Sequence, residues 1–329
     1  MDDPVGRTLE RGHVSRTGIV VGVWRGGDQI GLWHRGELPA GPESLFEIGS
    51  ITKVFTATLL ADMAREGLVG IDDRVSLHLP PGVEMPLRGR EITLADLSSH
   101  RSGLPALPKG LLVPALTTRR RGPYADWDAA RLEAAIPRTR PRREPEKRFR
   151  YSNYGLGLLG YVLARRAGIS YDELLRQRIA GPLGRQDTGT ALDGGRLAGP
   201  HRISGRETSH WHFDALAGAG ALRSTARDLL AFLRLHADRS SDGPLAVAAR
   251  ETQRPRTRLG RGHIGLGWMI LPPVRRFPFE LLMHEGGTGG FRSFAGRVPD
   301  RELGVVVLTN QARAVGRLGL RLLRAAAGR

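Results

Sequence analysis

"FEIGSITKVFTATLLADMAREG", residues 46–67, carries one lysine inside an apolar run. Val54, Phe55, Leu59 and Leu60 follow Lys53, and no further charge appears before Asp62. The pattern predicts a helix that takes Lys53 inside with it. An unpaired lysine in such a place is costly unless it loses its proton. Ser50 stands three residues earlier, behind Gly49 and where the helix begins, so its side chain and that of Lys53 project from one face. A hydroxyl at that point also lies near unsatisfied backbone N–H groups and the positive end of the helix dipole. Burial lowers the pKa of the amine and equips it to take the serine's proton. The plainer reading is a serine helix cap beside a lysine that reaches the surface, and S-x-x-K alone does not decide between the two.

Around this helix the chain changes character twice. "TGIVVGVWRG" (17–26) and "QIGLWHRGE" (29–37) predict a β-hairpin turning at Gly26-Gly27-Asp28. Helical patterns then dominate, at 93–99, 154–167, 170–180, 225–238 and 243–251. Strand character returns in "IGLGWMIL", "FELLMH", "FRSFAGRV" and "ELGVVVLTN", and "ARAVGRLGLRLLRAAAG" closes the chain as an amphipathic helix. The expected fold class is α+β: one antiparallel sheet built from both chain ends, flanked by helices, with a mainly helical insertion. The 329 residues then form one catalytic domain, with a sheet subdomain at 1–70 plus 260–329 and a helical subdomain at 71–259. A site is expected at their junction.

Composition narrows the function. The chain has no cysteine, which removes thiolate chemistry and disulfides. The formal net charge is +17, yet only Lys53, Lys109 and Lys147 among the basic residues are lysine. The arginines are scattered, densest between Arg138 and Arg150, with no nucleic-acid-binding module beside them. A solvated basic surface is expected, with no nucleic-acid partner. No apolar run is long enough to span a bilayer, and the N-terminus lacks the apolar core of a secretory signal, so a cytoplasmic protein without membrane attachment is expected.

Two later segments supply partners for Ser50 and Lys53. Tyr151-Ser152-Asn153 precedes the helical pattern at 154–167. A tyrosine held near a cationic lysine has its phenolate favoured and can shuttle protons, and Asn153 can bond both the lysine and a substrate carbonyl. On a late strand stands His284-Glu285-Gly286-Gly287. Glycine there lets substrate backbone approach the strand edge, and His284 can donate to a substrate carboxylate or relay a proton.

In order and spacing these segments resemble the class C β-lactamase family and its relatives, the penicillin-binding DD-peptidases, D-amino-acid-specific peptidases and serine esterases. "LSSHRSGLPALP" (97–108), "PLGRQDT" (182–188), "AGAGALRSTARDLLAFL" (217–233) and "GVVVLTN" (304–310) extend the likeness over roughly residues 17–310. The resemblance implies Ser50 as the acylated nucleophile, Lys53 and Tyr151 as its bases, Asn153 as a substrate-positioning group, and His284 and Gly286 as pocket-lining residues. It implies an oxyanion hole from the backbone N–H groups of Ser50 and Gly287. No metal or organic cofactor is implied, and the partner is a small ester, amide or peptide substrate. Two departures stand out. His284 replaces the lysine of true class C enzymes, which predicts weak or absent β-lactam hydrolysis. Glu146 in "EPEKRFRYSN" replaces the usual glycine of a proline-glycine turn, which predicts a reshaped entrance to the site. A true β-lactamase or DD-carboxypeptidase is the alternative within the family, and a catalytically idle binding protein the alternative outside it.

Competing patterns are weaker. "GLGLLG" (155–160) is formally G-x-G-x-x-G but lacks a preceding buried strand, so no dinucleotide site is expected. "HWH" (210–212) lacks a third ligand and is expected to be a loop, and the absence of G-x-S-x-G argues against an α/β-hydrolase elbow.

Overall fold

The strands from the two chain ends share one sheet because each presents apolar side chains on both faces. The structure, a computed structural model, describes residues 4–10, 17–27, 29–111, 122–275 and 277–328. In β1 (Ile19–Arg25), Val20 and Trp24 enter one core while Ile19, Val21 and Val23 enter a second. Among the described residues the strands continue with β2 (Ile30–Arg35), β3 (Phe46–Glu47), β4 (Arg223–Ser224), β5 (Thr257–Leu259), β6 (Gly262–Ile264), β7 (Met269–Leu271), β8 (Leu281–Gly287), β9 (Arg292–Val298) and β10 (Leu303–Thr309). β10 divides its side chains as β1 does, with Val306 and Leu308 on the first side and Val305 and Val307 on the other. Eight strands form an antiparallel sheet in the order β2-β1-β10-β9-β8-β7-β6-β5, and β3 pairs with β4 separately. The architecture is α+β.

Helices cover both faces. On the second face lie α1 (Pro4–Glu10) and the closing helix α9 (Gly316–Ala327), which buries Leu322 and Leu323 beside Phe294 of β9. The first face meets α2 (Thr52–Arg65), whose residues from Thr52 to Met63 are all buried. It also meets α7 (Ala226–Ala237), which places Leu230 against Gly22 of β1. Between these come α3 (Leu94–Ser98), α4 (Ala129–Ala135), α5 (Asn153–Ala167), α6 (Tyr171–Leu175) and α8 (Pro244–Thr252). Among the described residues no helix is long and apolar enough to cross a membrane.

One strand assignment needs correction. "IGLGWMIL" is two short strands, β6 and β7, separated by a turn at residues 265–268. Gly267 takes φ +76 there, and its amide donates to Ser98 O at 3.1 Å. Glycine adopts this left-handed conformation without steric cost, so the chain turns here inside an otherwise apolar run. The hairpin forms as expected, although Asp28 of its turn lies outside the described residues.

Two features of this fold set the surroundings of the segments that carry Ser50 and Tyr151. β7 pairs with residues 281–283 of β8 and stops, so β8 runs on from His284 with only β9 beside it. Gly157 and Gly160 of α5 allow close approach of the turn Ala217–Ala219: a Cβ on Gly157 would fall 2.5 Å from Leu216, and one on Gly160 2.8 Å from Gly218. The glycines of the G-x-G-x-x-G pattern are thus packing residues inside a helix.

Candidate active site

Ser50 sits in a 3-10 turn (Gly49–Ile51) that feeds directly into α2. Gly49 takes φ +50, and a Cβ on it would fall 2.4 Å from Gly287 N. Gly286 is equally constrained, since a Cβ there would meet Ile48 O at 2.0 Å. These glycines bring the end of β8 against the turn that carries Ser50. The Gly287 amide therefore lies beside the start of α2.

Lys53 is fully enclosed. Its Nζ lies 2.8 Å from Ser50 Oγ and donates to Ala219 O at 2.6 Å, and no carboxylate pairs with it among the described residues. Burial pushes its pKa down to about 7. The turn that supplies Ala219 O is itself held to α2, because Thr56 Oγ1 donates to Gly218 O at 2.9 Å.

Tyr151 closes the other side of Ser50. Lys53 Nζ stands 5.0 Å from its ring centroid, and its hydroxyl shares a hydrogen bond with Ser50. The expectation that the lysine would favour the phenolate is not met. Burial outweighs the Ser50 bond and pushes the phenol well above its ordinary value, so Tyr151 holds its proton at neutral pH. Ser152 caps α5, accepting from Gly155 N at 2.9 Å and donating to Pro105 O at 2.6 Å. The capping role of Ser152 fixes Tyr151 and Asn153 on either side of it.

Asn153 does not bond Lys53, contrary to expectation. Its Nδ2 donates to Tyr124 Oη at 3.0 Å, and its buried Oδ1 has no partner. Tyr124 stacks on Phe213 with ring centroids 4.6 Å apart, and Trp211 leans on both. The "HWH" loop is anchored beneath by Glu47, whose Oε1 accepts from Trp211 N at 3.0 Å and meets His210 Nδ1 at 2.8 Å. An aromatic wall thereby stands next to Asn153. No cluster of three or more His, Cys, Asp or Glu among the described residues could hold a metal.

His284 lies on β8 with its ring centroid 6.4 Å from that of Tyr151. Its Nδ1 is 2.7 Å from Glu285 O; a carbonyl only accepts, so Nδ1 carries the proton. Nε2 is then a bare acceptor, buried and without a partner. Burial, then the charge of Lys53, lowers its pKa to about 3. The expected donation to a substrate carboxylate is therefore reversed, and His284 offers a lone pair instead.

One residue of the site was not singled out from the sequence. His100 takes φ +58, its Nδ1 accepts from Ser152 N at 3.2 Å, and its carbonyl accepts from Arg150 N at 2.7 Å. Its ring lies 4.4 Å from Tyr151, and burial, then Lys53 and His284, hold it well below its ordinary pKa. His100 thus grips the backbone on both sides of Tyr151. The available signal was its place within "LSSHRSGLPALP". The Glu146 departure is also resolved in the structure: Glu146 keeps φ +68, as glycine would, and pairs with Arg90 and Arg101 at 3.0 and 3.2 Å.

A nucleophile-bearing helix start, a buried amine, a phenol and a strand-edge amide are the parts of a serine acyl-transfer centre. The sequence model of the beta-lactamase family matches residues 7–328, and the chain belongs to that family as a serine hydrolase. Among curated relatives, D-alanyl-D-alanine-carboxypeptidase/endopeptidase AmpH of Escherichia coli (strain K12) is 27% identical over 295 residues, covering 82% of this chain and 72% of its own. A class C beta-lactamase from Rhodobacter sphaeroides superposes with TM-score 0.80 at 26% identity, over 99% of this chain and 97% of its own. A D-stereospecific amidohydrolase from Streptomyces sp. gives TM-score 0.77 at 26% identity, over 92% of each chain.

Proposed function

We propose that the protein hydrolyses esters and amides through an acyl-enzyme on Ser50, with neutral acyl groups preferred over carboxylate-bearing ones. The observation that carries the mechanism is Lys53, unpaired by any carboxylate and 2.8 Å from Ser50 Oγ, with its pKa near 7. In its neutral form the amine takes the hydroxyl proton as Oγ attacks the carbonyl carbon. The backbone N–H groups of Ser50 and Gly287 receive the oxyanion. Collapse breaks the bond to the leaving group, which takes a proton through Tyr151. Lys53 has by then returned its proton through Tyr151 to that leaving group and is neutral again. Water attacks the acyl-serine and gives its proton to Lys53, the bond to Ser50 Oγ breaks, Lys53 passes that proton to Oγ, and the acid departs.

His284 supports the substrate preference. A fixed cation at this point would meet a carboxylate, whereas a neutral imidazole with a bare Nε2 repels one and accepts from an N–H or O–H. Asn153 Oδ1, likewise unpartnered, suits an amide N–H, and the wall of Tyr124, Trp211 and Phe213 suits an apolar acyl group. Similarity to a D-alanyl-D-alanine-carboxypeptidase and a D-stereospecific amidohydrolase favours D-amino-acid amides as the amide class. Fluorophosphonate treatment should leave one adduct, on the peptide containing Ser50. Short-chain p-nitrophenyl esters should be hydrolysed faster than nitrocefin, and His284→Lys should move the ratio of kcat/KM towards nitrocefin by about tenfold, the worth of one charge-assisted hydrogen bond. A wild type that turns over nitrocefin far faster than any ester contradicts the preference.

A further inference from the structure

Arg150 and Tyr151 are neighbours that serve different places. Tyr151 faces Ser50, while Arg150 lines a separate cavity of about 470 Å³. Four more cations surround it, Lys109, Arg138, Arg140 and Arg142, over a floor formed by residues 105–108. Among the described residues no acidic side chain lines it. The nearby carboxylates are engaged elsewhere: Glu146 with Arg90 and Arg101, Glu144 with Lys147, and Glu133 with the Tyr161 hydroxyl. None of the five cations forms an ion pair among the described residues, and the buried Nε of Arg150 has no partner.

The surrounding backbone is fixed. Lys109 N donates to Thr139 Oγ1 at 2.9 Å, Arg142 N to Gly103 O at 2.9 Å, and Arg150 N to His100 O at 2.7 Å. The five cations thus line one concavity, Arg150 half-buried and the other four exposed, and bound negative charge would pair with them. Guanidinium groups pair with phosphate and carboxylate oxygens in bidentate fashion. The volume falls within the range of small-molecule sites, about 300–1,000 Å³, and the floor of Pro105, Ala106, Leu107 and Pro108 adds an apolar contact. A polymer backbone would be tracked by an extended stripe rather than a cluster gathered at one cavity.

We propose that this cavity binds a small organic anion carrying two or more phosphate or carboxylate groups, at a site distinct from Ser50. The proposal does not depend on the reaction at Ser50. It is tested by calorimetric titration of the full chain with sodium pyrophosphate and, separately, with citrate, near physiological salt. One saturable site is expected for at least one probe, and which probe binds distinguishes a phosphate from a carboxylate ligand. Arg138→Gln with Arg142→Gln, both exposed, should weaken binding by about tenfold or more without altering the melting temperature. Arg317→Gln with Arg321→Gln, exposed on α9, should leave binding unchanged. The absence of saturable binding by either probe up to about 1 mM, or equal loss in the α9 variant, overturns the proposal. Binding only of an oligonucleotide, lost as salt rises, overturns it as well.

Discussion

Two ionisable groups lie wholly inside this protein under opposite arrangements. Asp96 of α3 is fully buried and held by Arg90, which bonds both its oxygens at 2.6 and 2.9 Å, and by Arg101 at 3.1 Å. Lys53 of α2 is just as enclosed, yet its partners are a hydroxyl and a carbonyl. Pairing makes the first group structural: it caps α3 and fastens Arg90 and Arg101, and Arg90 in turn donates to Glu91 O. Without a counter-charge the second group is not obliged to keep its proton, which is the basis on which we propose it as the reactive one. Burial is common to Asp96 and Lys53; the missing counter-charge is what sets Lys53 apart.

The contrast is broken most sharply at Lys53. Lys53→Met should reduce kcat by about two to four orders of magnitude, as expected when a positioned proton acceptor is removed. The same variant should be more stable than the wild type, on the order of a few kcal/mol near neutral pH. The folded-state pKa of Lys53 lies below its unfolded value, so the unfolded chain binds the extra proton between about pH 7 and 10.5. Wild-type stability therefore rises with pH across that window, and the advantage of methionine should shrink from pH 7 towards 10.5. Denaturant titrations at both ends of the window check this. A methionine variant that is less stable throughout would show that Lys53 is a structural group after all.

Asp96→Ala should have the next largest effect and the opposite sign. It leaves two guanidinium groups without their partner and removes the α3 cap, at a cost of about 3 kcal/mol in unfolding free energy. Retained stability would remove the difference between the two sites.

The smallest effect belongs to Glu146, where pairing and backbone strain compete. Its left-handed backbone costs about 1–2 kcal/mol in a non-glycine residue. Its ion pairs are partly exposed and are each worth under about 1 kcal/mol. Glu146→Gly should lie within about 1 kcal/mol of wild type, and Glu146→Ala should be less stable than Glu146→Gly by a similar amount. Equal stability of the two variants would show that the strain is absent.

Much of this was legible in the chain. Ser50, Lys53, Tyr151 and His284 stand in segments whose spacing and apolar surroundings can be read directly, and β1 and β10 follow from runs that are apolar on both faces. What stayed hidden depends on long-range geometry. The role of His100 rests on a left-handed backbone and on contacts some fifty residues away in sequence, neither of which is encoded by local pattern. The aromatic wall forms only when Tyr124 meets the 211–213 loop across α5, and a histidine's tautomer is set by a neighbour's carbonyl, as at His284. The break within "IGLGWMIL" was available in Gly265 and Gly267, but apolar content outweighed them.

The proposed mechanism has Ser50 activated by a lysine whose pKa burial has lowered to about 7. It is tested most directly by the pH dependence of kcat/KM for a p-nitrophenyl ester, which reports the ionisation of the free enzyme. The rate should rise as a single ionisation with its midpoint near pH 7, the value of Lys53, and then level off. In Lys53→Met the same inflection should be absent. A midpoint near the ordinary lysine value of 10.5, or an unchanged inflection in the variant, would contradict the account.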